Sequence, residues 1–460
     1  AKASILMAKA IASECIGDLE VAFYIYADAL SMAVKRIISS GATSFEHYNK
    51  SKLVTPPLDI SRNYALARLM HVYTTLELRN SEFDQEVSGL INTSEYFRNY
   101  IATKTYYRFN ASNLPEYTSI STKDYAFLGE CDLYLNLVTD SPLFLSEFSS
   151  VHMSLRFWQD GSIYDTYIRN QSDILHQLRS SFSAFFELGS ETNVEDFNTN
   201  HYESARQLFD ELYDIIPKHI SNIYLSADRY LTSIPWQLQF LQKFSHRSHL
   251  TCLHSISKPS LELAIGKDKG EYKFILSNFH IDNSVKRYLD HKIHDLGTVF
   301  DNTNSNKESF LRNLGSSDLF VFIGHGGLKI DNREMKLQLP DQSIIDFKEI
   351  KTITSIDPKK LRVAILFSCF SGFSLPSNED YDENDLGLPT LFKSLGYDFV
   401  IATAWPIDLS IACDFVSHFS SLIHSGHSVR EAYSIAYNQL YEDYEFSDFL
   451  VRGSCIQLYA

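Results

Sequence analysis

The segments DLFVFIGHGG (residues 318–327) and RVAILFSCFSG (362–372) decide how this chain is read. Each is a run of five apolar, mostly β-branched or aromatic residues that stops at a polar turn. A run this short, bounded by Gly and Ser, reads as a strand buried on both faces. SNIYLS (221–226), KFILSN (273–278) and DFVIATAW (398–405) repeat the pattern, with helical stretches between them. Strands alternating with helices predict an α/β fold with a mostly parallel sheet flanked by helices. In such sheets ligands bind beyond the carboxyl ends of the strands. The first run ends in His325-Gly326-Gly327 and the second in Ser368-Cys369. The two residues are 44 positions apart, which leaves room for a crossover between parallel neighbours.

That pairing suggests a chemistry. A thiolate is a strong nucleophile, and a nearby imidazole can hand a proton to a leaving amine. Glycine beside the histidine lets the backbone come close to a substrate carbonyl. The N–H groups of Gly326 and Cys369 then suit an oxyanion, at about 3–4 kcal/mol per donor. Each residue also has a plainer reading: a strand-end cysteine as a small buried hydrophobe, a histidine in a glycine loop as a turn residue. Cys413 and Cys455 fall in a helical and a strand pattern and read as core.

Working outward, CDLYLNLVTD (131–140) alternates like a strand with one wet face, and VHMSLRFWQDGSIYDTYI (151–168) reads as a hairpin about Asp160-Gly161. Residues 171–187 and 202–218 read as helices. Residues 1–40 read as a helical hairpin broken at Gly17-Asp18, with Ala8, Ala12, Cys15, Leu19, Ala22, Tyr26 and Ala29 at helical spacing. Residues 41–59 read as a loop and 60–103 as helical. SNEDYDENDLG (377–387) is an acidic loop, either a solvated surface or a lid. The expected division is a helical region over 1–124 and an α/β domain over 125–460.

Composition narrows the function. The charge is 41 − 57 = −16 over 460 residues, which disfavours generic nucleic-acid binding. No apolar stretch reaches the roughly 18–20 residues of a membrane span. The six cysteines form no CxxC pair, so a structural zinc is not expected; no cofactor is expected. Their sparse usage suits a reducing, cytoplasmic location. No signal-peptide pattern opens the chain, which begins at Ala1.

Six segments, in order, carry a family resemblance. NIYLSADRYLTSIPWQLQF (222–240) and DLFVFIGHGG come first, followed by VAILFSCFSG (363–372) and GLPTLFKSLGYDFVIATAWPID (387–408). SVREAYSIAYNQL (428–440) and GSCIQLYA (453–460) complete the set. Together they resemble the CHAT domain, a caspase- and separase-like peptidase domain, over roughly residues 130–460. The resemblance implies a caspase-like fold and cysteine endopeptidase activity, with His325 and Cys369 as the dyad. It also implies a protein substrate, limited cuts and a setting in bacterial anti-phage defence. A non-catalytic scaffold that recruits a partner is the alternative.

The N-terminal hairpin resembles a tetratricopeptide unit, which implies a site for an activator or sensor protein. An ordinary helix pair, or a three-helix bundle of the microtubule-interacting-and-transport type, fits the same residues. Asp408, near Trp405, resembles the separase acidic residue beside the same Trp. That would make Asp408 and Trp405 substrate-binding and would favour a basic P1 residue. The register is off by one, since relatives place an Asp where Leu409 stands. Asp408 as the N-cap of a helix over 409–425 is the other reading.

Overall fold

A computed structural model describes residues 2–39, 128–140, 150–159, 162–170, 194–227, 231, 234–244, 250–254, 272–276, 298–300, 306–329, 334–339, 341–350, 362–369, 371–372 and 388–459. The readings for 41–59, 60–103, 171–187 and 377–387 lie outside these residues. The chain divides into two compact units: residues 1–177 with 225–231 and 376–385, and the remainder.

The first unit opens with α1 (Lys2–Cys15) and α2 (Leu19–Ser39). Gly17 separates them at φ 82°, a left-handed conformation that suits glycine. The Asp18 N–H returns to the Ser13 carbonyl at 2.9 Å, closing the end of α1. Ala10, Ala22, Phe23, Tyr26 and Ala29 are buried, and the Tyr26 hydroxyl donates to Glu14 Oε2 at 2.8 Å. Small residues thus bring the helices together and Tyr26 fills the gap. The same unit holds an antiparallel meander of β1 (Asp132–Asp140), β2 (Ser150–Gln159) and β3 (Ser162–Asn170). β2 and β3 pair antiparallel from Val151–Asn170 to Gln159–Ser162, as the hairpin reading expects; Asp160-Gly161 lies outside the described residues.

The remaining elements follow in chain order: α3 (Val194–Tyr213), β4 (Asn222–Ala227), α4 (Trp236–Lys243), β5 (Thr251–His254), β6 (Tyr272–Leu276) and β7 (Thr298–Phe300). Next come α5 (Lys307–Ser316), β8 (Leu319–Ile323), β9 (Gly326–Lys329), β10 (Glu334–Gln338), β11 (Ile344–Asp346) and α6 (Phe347–Ile350). The chain closes with β12 (Val363–Phe367), α7 (Leu388–Ser394), β13 (Phe399–Thr403), α8 (Leu409–His424), α9 (Val429–Asp443), α10 (Phe446–Arg452) and β14 (Ile456–Tyr459).

In the second unit the sheet runs β5-β14-β13-β12-β8-β6-β7. Every neighbouring pair in it is parallel except β13–β14. β9, β10 and β11 form a separate antiparallel sheet. The central strands β8, β12 and β13 are buried along all five residues. Helices cover both faces. Phe320 meets Phe310 of α5 and Phe392 of α7, while Phe367 packs on Phe415 of α8. At about 1.5–3 kcal/mol for each fully buried large side chain, this layer fixes the order of the strands.

Two sequence expectations are corrected. The helix read over 202–218 is α3, Val194–Tyr213. Its polar first turns hide the helical period in sequence, and Pro217 prevents continuation at the far end. β5, β7 and β9–β11 add strands that the sequence does not announce, because each is short and carries too few consecutive apolar residues to stand out. Among the described residues, no helix is long and apolar enough to cross a membrane.

Candidate active site

β8 and β12 pair in parallel with Ile323 opposite Phe367. The Gly324 N–H carries the ladder one step further, donating to the Phe367 carbonyl at 2.9 Å. The register offset is 44 residues throughout, from Leu319–Val363 to Ile323–Phe367. Two residues beyond these strand ends stand His325 and Cys369. Adjacent strands lie about 4.8 Å apart, so the two residues leave neighbouring strand ends side by side at the carboxyl edge of the sheet. The 44-residue spacing seen in the sequence is this register.

His325 is held from the other side by the small sheet. Its carbonyl accepts from the Gln338 N–H at 2.9 Å. Gly326 then pairs with Leu337 and Gly327 with Lys336. In an antiparallel ladder, hydrogen-bonded and non-bonded pairs alternate. Since the bond from Gln338 falls on His325, the next bonded position is Gly327. The N–H and C=O of Gly326 therefore point away from β10.

The cysteine turn is clamped to the two following strands. The Ser371 N–H closes the turn on the Ser368 carbonyl at 3.0 Å, and the Ser371 hydroxyl donates to the Leu366 carbonyl. From β13, the Thr403 N–H donates to Ser371 Oγ at 3.0 Å and the Thr403 hydroxyl to the Ser368 carbonyl at 2.7 Å. The Gly372 N–H donates to the Thr403 carbonyl at 2.8 Å. From β14, the Tyr459 hydroxyl sits 2.8 Å from the Gly372 carbonyl and 2.6 Å from Gln457 Oε1. Gln457 Nε2 in turn donates to the Ile234 carbonyl at 3.0 Å. Ser371, Thr403, Gln457 and Tyr459 are all buried. Such connected polar groups hold a turn in one geometry.

Gly372 completes the clamp by having no side chain. A Cβ there would lie 2.8 Å from the Tyr459 hydroxyl and 3.2 Å from the Thr403 carbonyl carbon and oxygen. Gly372→Ala is expected to cost about 1–3 kcal/mol, the usual range for overpacking. A thermal melt measures that loss, and alkylation of Cys369 by iodoacetamide should change with it because the turn shifts.

Cys369 is partly buried and His325 is exposed. Burial pushes the Cys369 thiol up, offset in part by its own backbone N–H. Partial desolvation pulls His325 down. Both shifts favour the neutral thiol and neutral imidazole at neutral pH. The sign is testable without a substrate. The rate of Cys369 alkylation by iodoacetamide should have its midpoint at higher pH than that of a free cysteine measured alongside. A midpoint below the free thiol would reverse this account of the resting site.

The remaining sequence-predicted residues lie after β13. Trp405 is fully buried and Asp408 is half-buried. Asp408 Oδ1 accepts from the Ser410 N–H at 2.8 Å and from the Ser410 hydroxyl, so Asp408 caps α8. Its own N–H donates to the Arg452 carbonyl at 3.1 Å. Cys413 and Cys455 are buried, as expected of core. Burial also drives the Cys455 thiol far up. Among the described residues, no three His, Cys, Asp or Glu side chains cluster as a metal site would require.

The sequence reading missed Thr403, Gln457 and Tyr459, which come from strands distant in sequence. The faint signal was Gly372 itself, a glycine just beyond the nucleophile candidate with no turn that needs it.

Comparison with known proteins agrees with this geometry at the level of fold. No curated protein matches the chain by sequence. Among solved structures, the Saccharomyces cerevisiae separase–securin complex at 2.6 Å is similar with a TM-score of 0.54 at 13% identity, covering 96% of this chain and 37% of that one. The 3.0 Å structure of the complex gives a TM-score of 0.51 at 13% identity, covering 98% and 37%. The Arg-specific cysteine proteinase gingipain R (RGPB) is matched at 10% identity and a TM-score of 0.39, over 56% of this chain and 67% of that one. The chain thus spans little more than a third of the separase-complex chain it resembles. The likeness establishes the mixed α/β, caspase-like fold. Within it, residues 282–449, which include both His325 and Cys369, match the family model of the CHAT domain.

Proposed function

We propose that this chain is a cysteine endopeptidase in which Cys369 is the nucleophile and His325 its acid–base partner. The observation that supports the reading is the parallel pairing of β8 and β12, adjacent strands that run on into His325 and Cys369 respectively. His325 takes the thiol proton as sulfur attacks the scissile carbonyl carbon. The oxyanion of the tetrahedral adduct is met by the N–H groups of Gly326 and Cys369. The imidazolium then protonates the leaving amine, the C–N bond breaks and a thioester remains. Water, deprotonated by His325, attacks the thioester and releases the acid and the thiol.

Partner-triggered activation belongs to the same proposal. The N-terminal helices are the proposed contact for that partner, and limited cleavage in anti-phage defence is the setting the family resemblance suggests. Cleavage of a protein substrate by the intact chain, lost in Cys369→Ala, tests the activity.

Asp408 is proposed to favour a basic P1 residue. Its half-exposed carboxylate has room for a second partner besides the Ser410 cap. Asp408→Asn separates the roles, because Asn still caps a helix but carries no charge. Loss of one member of a desolvated charge pair costs about 2–5 kcal/mol. Asp408→Asn is therefore expected to lower kcat/KM for Arg or Lys at P1 by roughly 30-fold or more, and for Leu far less. Unchanged cleavage after basic residues, with a melting temperature lost only in Asp408→Ala, would make Asp408 a cap alone.

A further inference from the structure

The last link of the clamp on the cysteine turn holds a conflict. The Tyr459 hydroxyl carries one proton and faces two acceptors, the Gly372 carbonyl at 2.8 Å and Gln457 Oε1 at 2.6 Å. Both oxygens only accept, so the proton serves one of them at a time. Gln457 cannot resolve this by presenting its NH2 group to the hydroxyl. Its Nε2 donates to the Ile234 carbonyl at 3.0 Å, and turning the amide over would set two oxygens against each other there. Tyr459, Gln457 and Ile234 are all buried, so the choice is made within the protein. The Ile234 carbonyl has a second donor, the Trp236 N–H at 2.8 Å. Residues 225–231, just before it in the chain, fall in the first compact unit, and the second resumes at Thr232.

Taking the protease reading above as given, we propose that Gln457 is a positioning residue that shares the Tyr459 proton with the cysteine turn, and that the Ile234 carbonyl, by fixing the amide, sets how tightly that turn is held. With Ile234 in place, Gln457 Oε1 draws the proton, and the Gly372 carbonyl is held only part of the time. When the Ile234 carbonyl is withdrawn, the amide turns over. Nε2 then donates to the Tyr459 oxygen, and the hydroxyl proton is released to Gly372. The network is thus a two-state element, which is what coupling a remote segment to a site requires. It reaches the chemistry through the Cys369 N–H, the proposed oxyanion donor, because Cys369 stands in the turn that Gly372 ties to β13 and β14.

The test compares the full-length protein with its Gln457→Met and Tyr459→Phe variants. Methionine matches glutamine in length and offers no amide oxygen. The Ile234 carbonyl keeps its bond from Trp236 in that variant, so no buried acceptor is orphaned. Methionine therefore hands the whole proton to Gly372 and stands in for the withdrawn state, whereas phenylalanine removes the proton altogether. Hydrogen exchange at the Ser371 and Gly372 N–H groups reads the turn, and should slow at least about threefold in Gln457→Met and quicken at least about tenfold in Tyr459→Phe. Labelling of Cys369 by an acetylated tetrapeptidyl-arginine acyloxymethyl ketone reads the oxyanion donor, with iodoacetamide, which needs none, as the control. Relative to iodoacetamide, the ketone rate should fall at least about tenfold in Tyr459→Phe and hold or rise in Gln457→Met. A residue that only fills the core would loosen the turn in both variants. Faster or unchanged exchange in Gln457→Met, repeated in Gln457→Leu, overturns this inference and leaves the protease reading standing. Opposite exchange effects, with no ketone adduct at Cys369 in the unsubstituted protein, uphold the shared proton and overturn the protease reading.

Discussion

Cys369→Ala is expected to abolish cleavage, with a fall in kcat of about 10⁶-fold if the residue is the nucleophile, as for other enzymes that lose theirs. The fold should survive. Cys369 lies past the end of β12 and is only partly buried, and its turn is held by Ser368, Ser371 and Gly372, none of which uses the thiol. A circular dichroism melt should therefore change little while turnover disappears. Cys413→Ala and Cys455→Ala invert the pattern: both thiols are buried, so the substitutions should lower the melting temperature and leave catalysis in place. A Cys369→Ala protein that still cuts would remove the nucleophile from the account.

His325→Ala is the second large effect. General acid–base help is typically worth about 10²–10⁴-fold, and the loss should fall in that range. The side chain is exposed, so little stability is lost with it. Its backbone bond to Gln338 is retained in the variant, which keeps β9 and the Gly326 N–H in place. The loss should appear in kcat more than in KM, and a fall of less than about tenfold would assign the proton transfers elsewhere.

How much of this was readable in sequence differs from element to element. β8, β12 and β13 announce themselves because a strand buried on both faces must be apolar at every position, and LFVFI, VAILF and FVIAT are. Their adjacency follows from the chain's need for a crossover, which α7 supplies between β12 and β13. The 44-residue offset between His325 and Cys369 was legible as a spacing and acquires its meaning only from the register of β8 and β12, which has the same offset. The clamp on the cysteine turn was not legible. Thr403, Gln457 and Tyr459 each satisfy the ordinary pattern of their own strand, and nothing local says that their polar atoms turn toward residues 368–372.

β9–β11 stayed hidden for a different reason. GGLK and EMKLQ contain too few apolar residues to alternate visibly, and their pairing is specified by the position of His325 and by the buried Leu337 and Ile345. Asp408 was legible in both of its readings because one carboxylate serves both. The capping bond to Ser410 satisfies one oxygen, and charge, not geometry, separates the two roles.

The most direct measurement is the order in which cysteines react with the peptidyl-arginine acyloxymethyl ketone, read by peptide mapping of the labelled protein. Exposure alone ranks Cys15 and Cys131, both on the surface, ahead of the partly buried Cys369. An active site beside His325 reverses that order. The account predicts one dominant adduct at Cys369, lost when the protein is denatured first and strongly reduced in His325→Ala. Adducts that follow exposure, with Cys15 and Cys131 labelled before Cys369 and no effect of His325→Ala, would contradict it.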